Sequence, residues 1–128
     1  MTNEKTDALP KGLVLTRDLL FSTKITGTAR ALGFQMDVVA NVEGLARRMS
    51  ETAYRCLLLD LSVADVSIAE VIQAVGENKP DRPAIVAFGS HVDTARLGEA
   101  EAAGCDEVMP RSQFAGTLPE LLGRLLSD

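Results

Sequence analysis

The sequence predicts an α/β domain in which helices cover both faces of a parallel β-sheet. Short apolar runs, of which residues 56–61 (CLLLDL) are the clearest, are typical of strands that are buried on both faces. These runs alternate five times with segments of helical periodicity. Such alternation requires crossover connections between parallel strands. The length of 128 residues fits one domain, and a hydrophobic content of 46% is enough for a substantial core.

Each element follows from a local pattern. The predicted strands cover residues 12–16, 36–40, 56–61, 84–88 and 107–109. The predicted helices cover residues 19–32, 42–49, 68–75, 95–103 and 118–126, where apolar side chains recur every three or four positions. Gly33, Gly76 and Gly104 follow the first, third and fourth helices as stop signals. Pro119 fits the first turn of the last helix, where a missing N–H costs little.

The two ends of the chain and its charge set the expected class of protein. Residues 1–11 are polar, and we expect them to form a flexible leader before a single domain over residues 12–128. No apolar stretch reaches the roughly 18 residues that span a bilayer, and the leader lacks the apolar block of a signal peptide. The net charge of −5 argues against nucleic-acid binding. We therefore expect a cytoplasmic protein without a membrane partner, and we expect Cys56 and Cys105 to be reduced core thiols.

Asp60 is the residue that points most directly to function. It ends the third predicted strand, and open α/β folds place their chemistry outside the carboxyl ends of the strands. A carboxylate at a dry strand end needs a partner, because an unpaired buried charge is costly. Arg17 and Arg111 are the candidate partners, and an arginine–carboxylate fork would fix Asp60 and occupy it.

With its elements placed, the chain resembles a response-regulator receiver domain of two-component signalling over nearly all of residues 12–126. The segments that carry the resemblance are LLLD at 57–60, AFGS at 87–90, AAGCD at 102–106 and MPRS at 109–112. The chain is also similar to small stand-alone receiver-like proteins with the motifs DLxF (18–21), SHVD (90–93) and RSxF (111–114). The resemblance implies a flavodoxin-like (βα)5 three-layer sandwich with the strand order 2-1-3-4-5.

The resemblance also implies roles for three residues at the strand ends. Asp60 takes the position of the phosphoacceptor, and its alternative role, which we favour, is that of a carboxylate paired with Arg17 or Arg111. Ser90 takes the position of the switch hydroxyl, and its alternative role is the N-cap of the following helix. Arg111 takes the place of the lysine that contacts the phosphoryl group, and its alternative role is a salt bridge to Asp60.

The acidic pair that receivers use to bind Mg²⁺ is incomplete in this chain. The segment after the first strand reads Thr16-Arg17-Asp18, so at least one acid is lost in either of two alignments. A guanidinium about 5 Å from the site would repel a dication by roughly 7 kcal/mol at an effective dielectric constant of 20. Arg17 and Asp18 are therefore a remnant of the acidic pocket. No cofactor is expected, and if Mg²⁺ binds, Asp18 and Asp60 are its ligands.

The leading hypothesis is a non-enzymatic, stand-alone pseudo-receiver that works without phosphorylation. Its partner would be a histidine kinase, a downstream effector or a second copy of itself, and the resemblance places the contact surface over residues 93–126. Because no output domain follows, we expect the effect to pass through another protein. One alternative is a Mg²⁺-dependent receiver that is phosphorylated on Asp60. Another is a small-molecule sensor that uses the strand-end crevice.

Overall fold

The computed structural model describes residues 9–76 and 80–127. Its strands are β1 (Lys11–Leu15), β2 (Gln35–Val39), β3 (Cys56–Asp60), β4 (Ala84–Gly89) and β5 (Glu107–Pro110). Its helices are α1 (Leu19–Ala31), α2 (Val42–Glu51), α3 (Ile68–Val75), α4 (Thr94–Ala103), α5 (Arg111–Gly116) and α6 (Leu118–Leu126). Residues 1–8 of the expected leader and residue 128 of the expected domain lie outside the described residues. Lys11, which we assigned to the leader, begins β1 because it pairs with Gln35.

The five strands form one parallel sheet in the order β2-β1-β3-β4-β5, which confirms the predicted topology. β3 lies at the centre, and all five of its residues are buried. This position explains why its sequence is continuously apolar, since a central parallel strand has helices above and below it. All five strands were predicted within one residue at each end.

Two apolar clusters fill the space between the sheet and its helices. The alternating side chains of β3 divide between them: Leu57 and Leu59 join the first cluster, and Cys56 and Leu58 join the second. The first cluster packs α2, α3 and α4 onto one face of the sheet through Leu45, Ile68, Val71, Ile72, Val75 and Ala100. The second packs α1, α5 and α6 onto the other face through Ile25, Ala29, Phe114, Leu118, Leu121, Leu122 and Leu126. The result is the expected three-layer sandwich.

Side-chain caps begin four of the helices. The capping residues are Asp18, Asn41, Ser67 and Asp93, and each accepts a hydrogen bond from the backbone N–H three residues later. Ser67 is the cap of α3. The cap of α4 is Asp93, so the alternative in which Ser90 caps this helix is wrong. Gly76 and Gly104 end α3 and α4 with positive φ angles of 97° and 103°, which glycine adopts without strain.

The sequence analysis missed the short helix α5, which follows β5 without a connecting loop. Residues 111–116 read RSQFAG, and Phe114 is the only large apolar side chain among them. A six-residue helix with one large apolar side chain shows no repeating apolar pattern that could be recognised in the sequence. The helix forms because Phe114 is fully buried against the second cluster. This placement matters for function because Arg111 is the first residue of α5.

Both cysteines are free thiols, as expected. Burial raises the pKa of Cys56 to about 12. Burial, together with the nearby charge of Asp106, raises the pKa of Cys105 to about 11. Neither thiol therefore carries the thiolate fraction at neutral pH that a reactive cysteine needs.

Candidate functional site

The side chains singled out from the sequence converge at the carboxyl end of the sheet. In the parallel register the last paired residues are Leu15 with Leu59, Asp60 with Phe88, and Gly89 with Pro110. Thr16, Asp60, Ser90 and Arg111 therefore stand at the ends of four neighbouring strands. This is the edge at which open α/β sheets form their binding crevices.

Asp60 is almost completely enclosed, with 1% of its surface exposed. Its Oδ2 accepts a hydrogen bond from the Thr16 hydroxyl at 2.6 Å. Its Oδ1 accepts from the backbone N–H of Ser62 at 2.9 Å, from the Ser62 hydroxyl at 2.7 Å and from Nη2 of Arg111 at 3.0 Å. A carboxylate offers about four acceptor positions. Four hydrogen bonds therefore end on Asp60, three of them on Oδ1 and one on Oδ2.

Arg111 is the cation of the site. Its Nη2 contacts Asp60, and its Nη1 lies 3.7 Å from Oδ2 of Asp18. The guanidinium also lies 4.7 Å from the ring centroid of Phe21 and 5.4 Å from that of Phe88. Arginine can stack on aromatic rings and bind a carboxylate at the same time, because its charge is spread over a plane. The alternative in which Arg111 forms a salt bridge with Asp60 is the arrangement observed.

Arg17 lies away from Asp60, so of the two candidate partners it is the one that does not pair with this carboxylate. Its Nε donates to the carbonyl oxygen of Ala40 at 3.0 Å, and its Nη1 lies 2.9 Å from Oδ1 of Asp65. Both contacts hold the side chain at the protein surface, where it is half exposed. The strand register directs Thr16 toward Asp60, and the next side chain along an extended segment points the other way.

Thr16 and Arg17 directly follow β1, and neither of them is acidic. Asp18 belongs to the next element as the N-cap of α1, where its Oδ1 accepts from the N–H of Phe21 at 2.9 Å. Its other oxygen faces Arg111.

A divalent cation does not fit this arrangement of side chains. Mg²⁺ would need oxygens of Asp18 and Asp60, but the guanidinium of Arg111 already contacts both carboxylates. Within residues 9–76 and 80–127, no three His, Cys, Asp or Glu side chains are grouped to hold a metal ion. Arg111 thus supplies the positive charge that a metal ion would otherwise provide. This charge belongs to a side chain of the protein itself, so it is always present at the site.

Ser90 and His91 lie beside Arg111 at the mouth of the site. With Arg111, Phe21 and Pro110 they line a groove of about 430 Å³. Ser90 is exposed, and its hydroxyl oxygen accepts a long hydrogen bond, 3.3 Å, from the N–H of Val92. The structure therefore brings Ser90 next to Arg111 without a hydrogen bond to Asp60.

Two of the residues that donate to Asp60 were not predicted from the sequence. They are Thr16, which donates through its hydroxyl, and Ser62, which donates through both its N–H and its hydroxyl. Ser62 had a recognisable signal. An aspartate side chain commonly accepts a hydrogen bond from the backbone N–H two residues later, which closes an Asx-turn. Thr16 had none, since its contact with Asp60 spans 44 residues and depends on strand register.

Comparison with solved structures identifies the fold. A receiver domain of a response regulator from Bermanella marisrubri has a TM-score of 0.76 at 22% identity and covers 90% of this chain and 96% of its own. A response regulator from Hahella chejuensis has a TM-score of 0.77 at 21% identity, with coverages of 92% and 96%. The receiver domain of the sensor histidine kinase PA1611 from Pseudomonas aeruginosa, solved with a magnesium ion in its active site cleft, has a TM-score of 0.76 at 17% identity, with coverages of 94% and 100%. No protein-family model and no curated protein matches the sequence.

No helix within the described parts of the chain has both the length and the apolar character needed to cross a bilayer.

At identities below 25% the structural likeness establishes the fold. Together with the sheet order β2-β1-β3-β4-β5 and the strand-end aspartate, it leads to one conclusion. The chain has the fold of the CheY-like receiver domains of response regulators.

Proposed function

We propose that this chain is a pseudo-receiver, a cytoplasmic signalling module rather than an enzyme, which acts through protein–protein contacts in a two-component-type pathway without being phosphorylated. One observation carries the proposal, namely that Asp60 is 1% exposed and accepts four hydrogen bonds, one of them from Arg111. A nucleophile must present a lone pair to the incoming phosphorus atom. A carboxylate that is almost completely enclosed, accepts four hydrogen bonds and has a cation fixed on it is a poor nucleophile.

The electrostatics of the site support the same proposal. Phosphoryl transfer requires positive charge that neutralises the transferred group, and this charge usually comes from a metal ion together with a basic side chain. Among the described residues, Arg111 is the cation that contacts Asp60, and it is already shared with Asp18. The three side chains together carry a net charge of about −1, which disfavours the approach of a phosphoryl donor.

The proposed partner is a histidine kinase, a downstream effector or a second copy of this chain. The surface that would bind it is formed by α4, β5 and α6 within residues 93–126. Six acidic residues and three arginines occur in this range, so we expect a partner surface with a complementary positive charge.

The proposal is tested by incubating the protein with Mg²⁺ and acetyl phosphate and measuring its intact mass. A second arm adds beryllofluoride and records an NMR spectrum. We expect neither a phosphoryl adduct nor a shift of signals around Asp60, because the carboxylate is occupied. The same conditions are applied to a receiver domain with an intact acidic pair, which shows that the reagents are active.

The matched variants are Asp60→Asn and Asp65→Asn. Asp65 is a surface carboxylate of the same region that pairs with Arg17, so its loss controls for adventitious modification. A Mg²⁺-dependent adduct on the wild-type protein that disappears in Asp60→Asn and persists in Asp65→Asn would overturn the proposal. It would establish the runner-up function, a phosphoacceptor receiver. One observation favours this phosphoacceptor function. Ser90 and Arg111 both line the same groove, so a ligand in the groove could contact both side chains.

A further inference from the structure

The guanidinium of Arg96, in α4, is mostly buried and donates hydrogen bonds to backbone carbonyl oxygens. Its Nε donates to the carbonyl oxygen of Leu61 at 3.1 Å. Its Nη2 donates to the carbonyl oxygens of Val63 and Val66 at 3.0 and 2.8 Å. Only 15% of the side chain is exposed, and its remaining contact is an ion pair of 3.5 Å with Glu99 on the same helix. Three carbonyl groups of one loop therefore accept hydrogen bonds from a single side chain of α4.

These carbonyl groups belong to the β3–α3 loop, which consists of residues 61–67. The same loop also contacts the side chain of Asp60. Ser62 lies within it and donates to Asp60 through both its N–H and its hydroxyl. The Ser62 hydroxyl oxygen is also 3.3 Å from Nη2 of Arg111. The β3–α3 loop is thus fixed on one side by Asp60 and Arg111, and on the other side by Arg96.

Hydrogen bonds within the β3–α3 loop are long. They run from the N–H of Val63 to the carbonyl oxygen of Asp60 and from the N–H of Val66 to that of Val63, at 3.3 and 3.2 Å. The loop is also held by the N–H of Leu61, which donates to Phe88 at 2.9 Å, and by its buried apolar side chains, which belong to the first cluster. A crevice of about 60 Å³, lined by residues that include Ser62, Ser90 and Arg96, separates part of the loop from α4. The charge-assisted hydrogen bonds of Arg96 therefore add a polar connection between the loop and α4.

We propose that Arg96 is a positioning residue that couples α4 to the Asp60–Arg111 pair by fixing the β3–α3 loop. A partner that binds α4 and draws Arg96 away from the three carbonyls loosens Ser62 and thereby uncovers Asp60. By thermodynamic reciprocity, a ligand that displaces Ser62 from Asp60 changes the affinity of α4 for its partner. The coupling goes beyond the proposed function, and it holds whether or not Asp60 accepts a phosphoryl group.

The test compares Arg96→Ala and Arg96→Lys with the matched variant Glu99→Gln. Glu99→Gln removes the ion pair on the same helix and leaves the three carbonyl contacts in place. The first measurement is the hydrogen-exchange rate of the Ser62 amide by NMR. The second is labelling of Asp60 by a carbodiimide and an amine, measured by peptide mass spectrometry. Asp37, a partly buried carboxylate on β2 that accepts from Tyr54, is the internal reference.

In Arg96→Ala we expect Ser62 exchange to rise about tenfold or more, since the loop can then open locally. Labelling of Asp60 should rise, and labelling of Asp37 should stay unchanged. Arg96→Lys should give an intermediate result, because an ammonium group cannot reproduce the planar fork. Glu99→Gln should behave as the wild type does.

Wild-type exchange at Ser62 and wild-type labelling of Asp60 in a folded Arg96→Ala protein would overturn the coupling. If Arg96→Ala does not fold, the same measurements on Arg96→Lys decide, and wild-type values there would also overturn it. An equal rise in labelling at Asp37 and Asp60 would contradict the proposal as well, since it would show general loosening of the domain.

Discussion

At the scale of single residues, the choice of arginine at position 111 determines what Asp60 can do. The guanidinium reaches Asp60 and Asp18 while its face lies over Phe21 and Phe88. A lysine ammonium is a point charge without a stacking face, so it could not be held by the same rings in the same way. The aromatic support therefore helps to make Arg111 a fixed counter-ion.

Replacing Arg111 by alanine should lower the free energy of unfolding by about 2 kcal/mol, because Asp60 would remain buried without its cation. This loss in the free energy of unfolding is smaller than the loss expected when a fully buried ion pair is broken, because a third of the Arg111 side chain is exposed. Urea unfolding followed by far-UV circular dichroism measures the change. Arg124→Ala is the matched control, because Arg124 forms a surface pair with Glu107 that should contribute less than about 1 kcal/mol. Equal losses in the two variants would show that Arg111 does not stabilise Asp60.

At the scale of elements, Asp106 joins the starts of β4 and β5. Its Oδ2 accepts from the N–H of Ile85 in β4 at 2.7 Å, and Arg82 forms a two-pronged contact with it at 2.9 and 3.1 Å. Burial by itself would raise the pKa of this carboxyl. The hydrogen bond and charge of Arg82 and the N–H of Ile85 outweigh that effect, and the pKa lies below its ordinary value of 3.8.

This depressed pKa makes Asp106 a source of pH-dependent stability. A group whose pKa is lower in the folded state stabilises the fold above its unfolded pKa, and the stabilisation is lost as the pH falls through the folded value. We expect Asp106→Asn to be less stable than the wild type at pH 7, and the difference to shrink as the pH falls below 3.8. Urea midpoints measured from neutral to acidic pH test this. A constant difference at every pH would mean that the charge of Asp106 contributes nothing.

At the scale of the whole molecule, the second apolar cluster connects the fold to the site. Phe114 of α5 is fully buried, and its ring stacks on Phe88 with a centroid distance of 4.1 Å. Phe88 in turn lies beneath Arg111. The same core side chains that close the sheet on this face therefore also position the cation on Asp60.

Phe114→Ala should cost about 4 kcal/mol, because the substitution leaves a cavity in a packed core. That is a large part of the stability of a domain of this size. Thermal and urea unfolding measure the loss. Phe34→Ala is the comparison, since Phe34 is only partly buried against the same cluster and should cost clearly less. Equal costs would show that α5 is not part of the cooperative core.

The sequence by itself determined the layers of this protein. Short apolar runs predict the strands, and a period of about 3.6 residues predicts the helices, three of which are followed by glycine; the alternation of the two demands a parallel sheet. Since the carboxyl ends of parallel strands lie at one edge, the sequence also located Asp60, Ser90 and Arg111 together at one end of the molecule.

Only the tertiary structure decided which arginine neutralises Asp60. Arg17 and Arg111 were equivalent candidates in the sequence, because a contact over 51 residues depends on strand register and on aromatic support that no local pattern encodes. The same reason explains why Thr16 and α5 were missed. Local propensity governs how each segment folds, whereas the pairing of a buried charge is settled by all the elements that surround it.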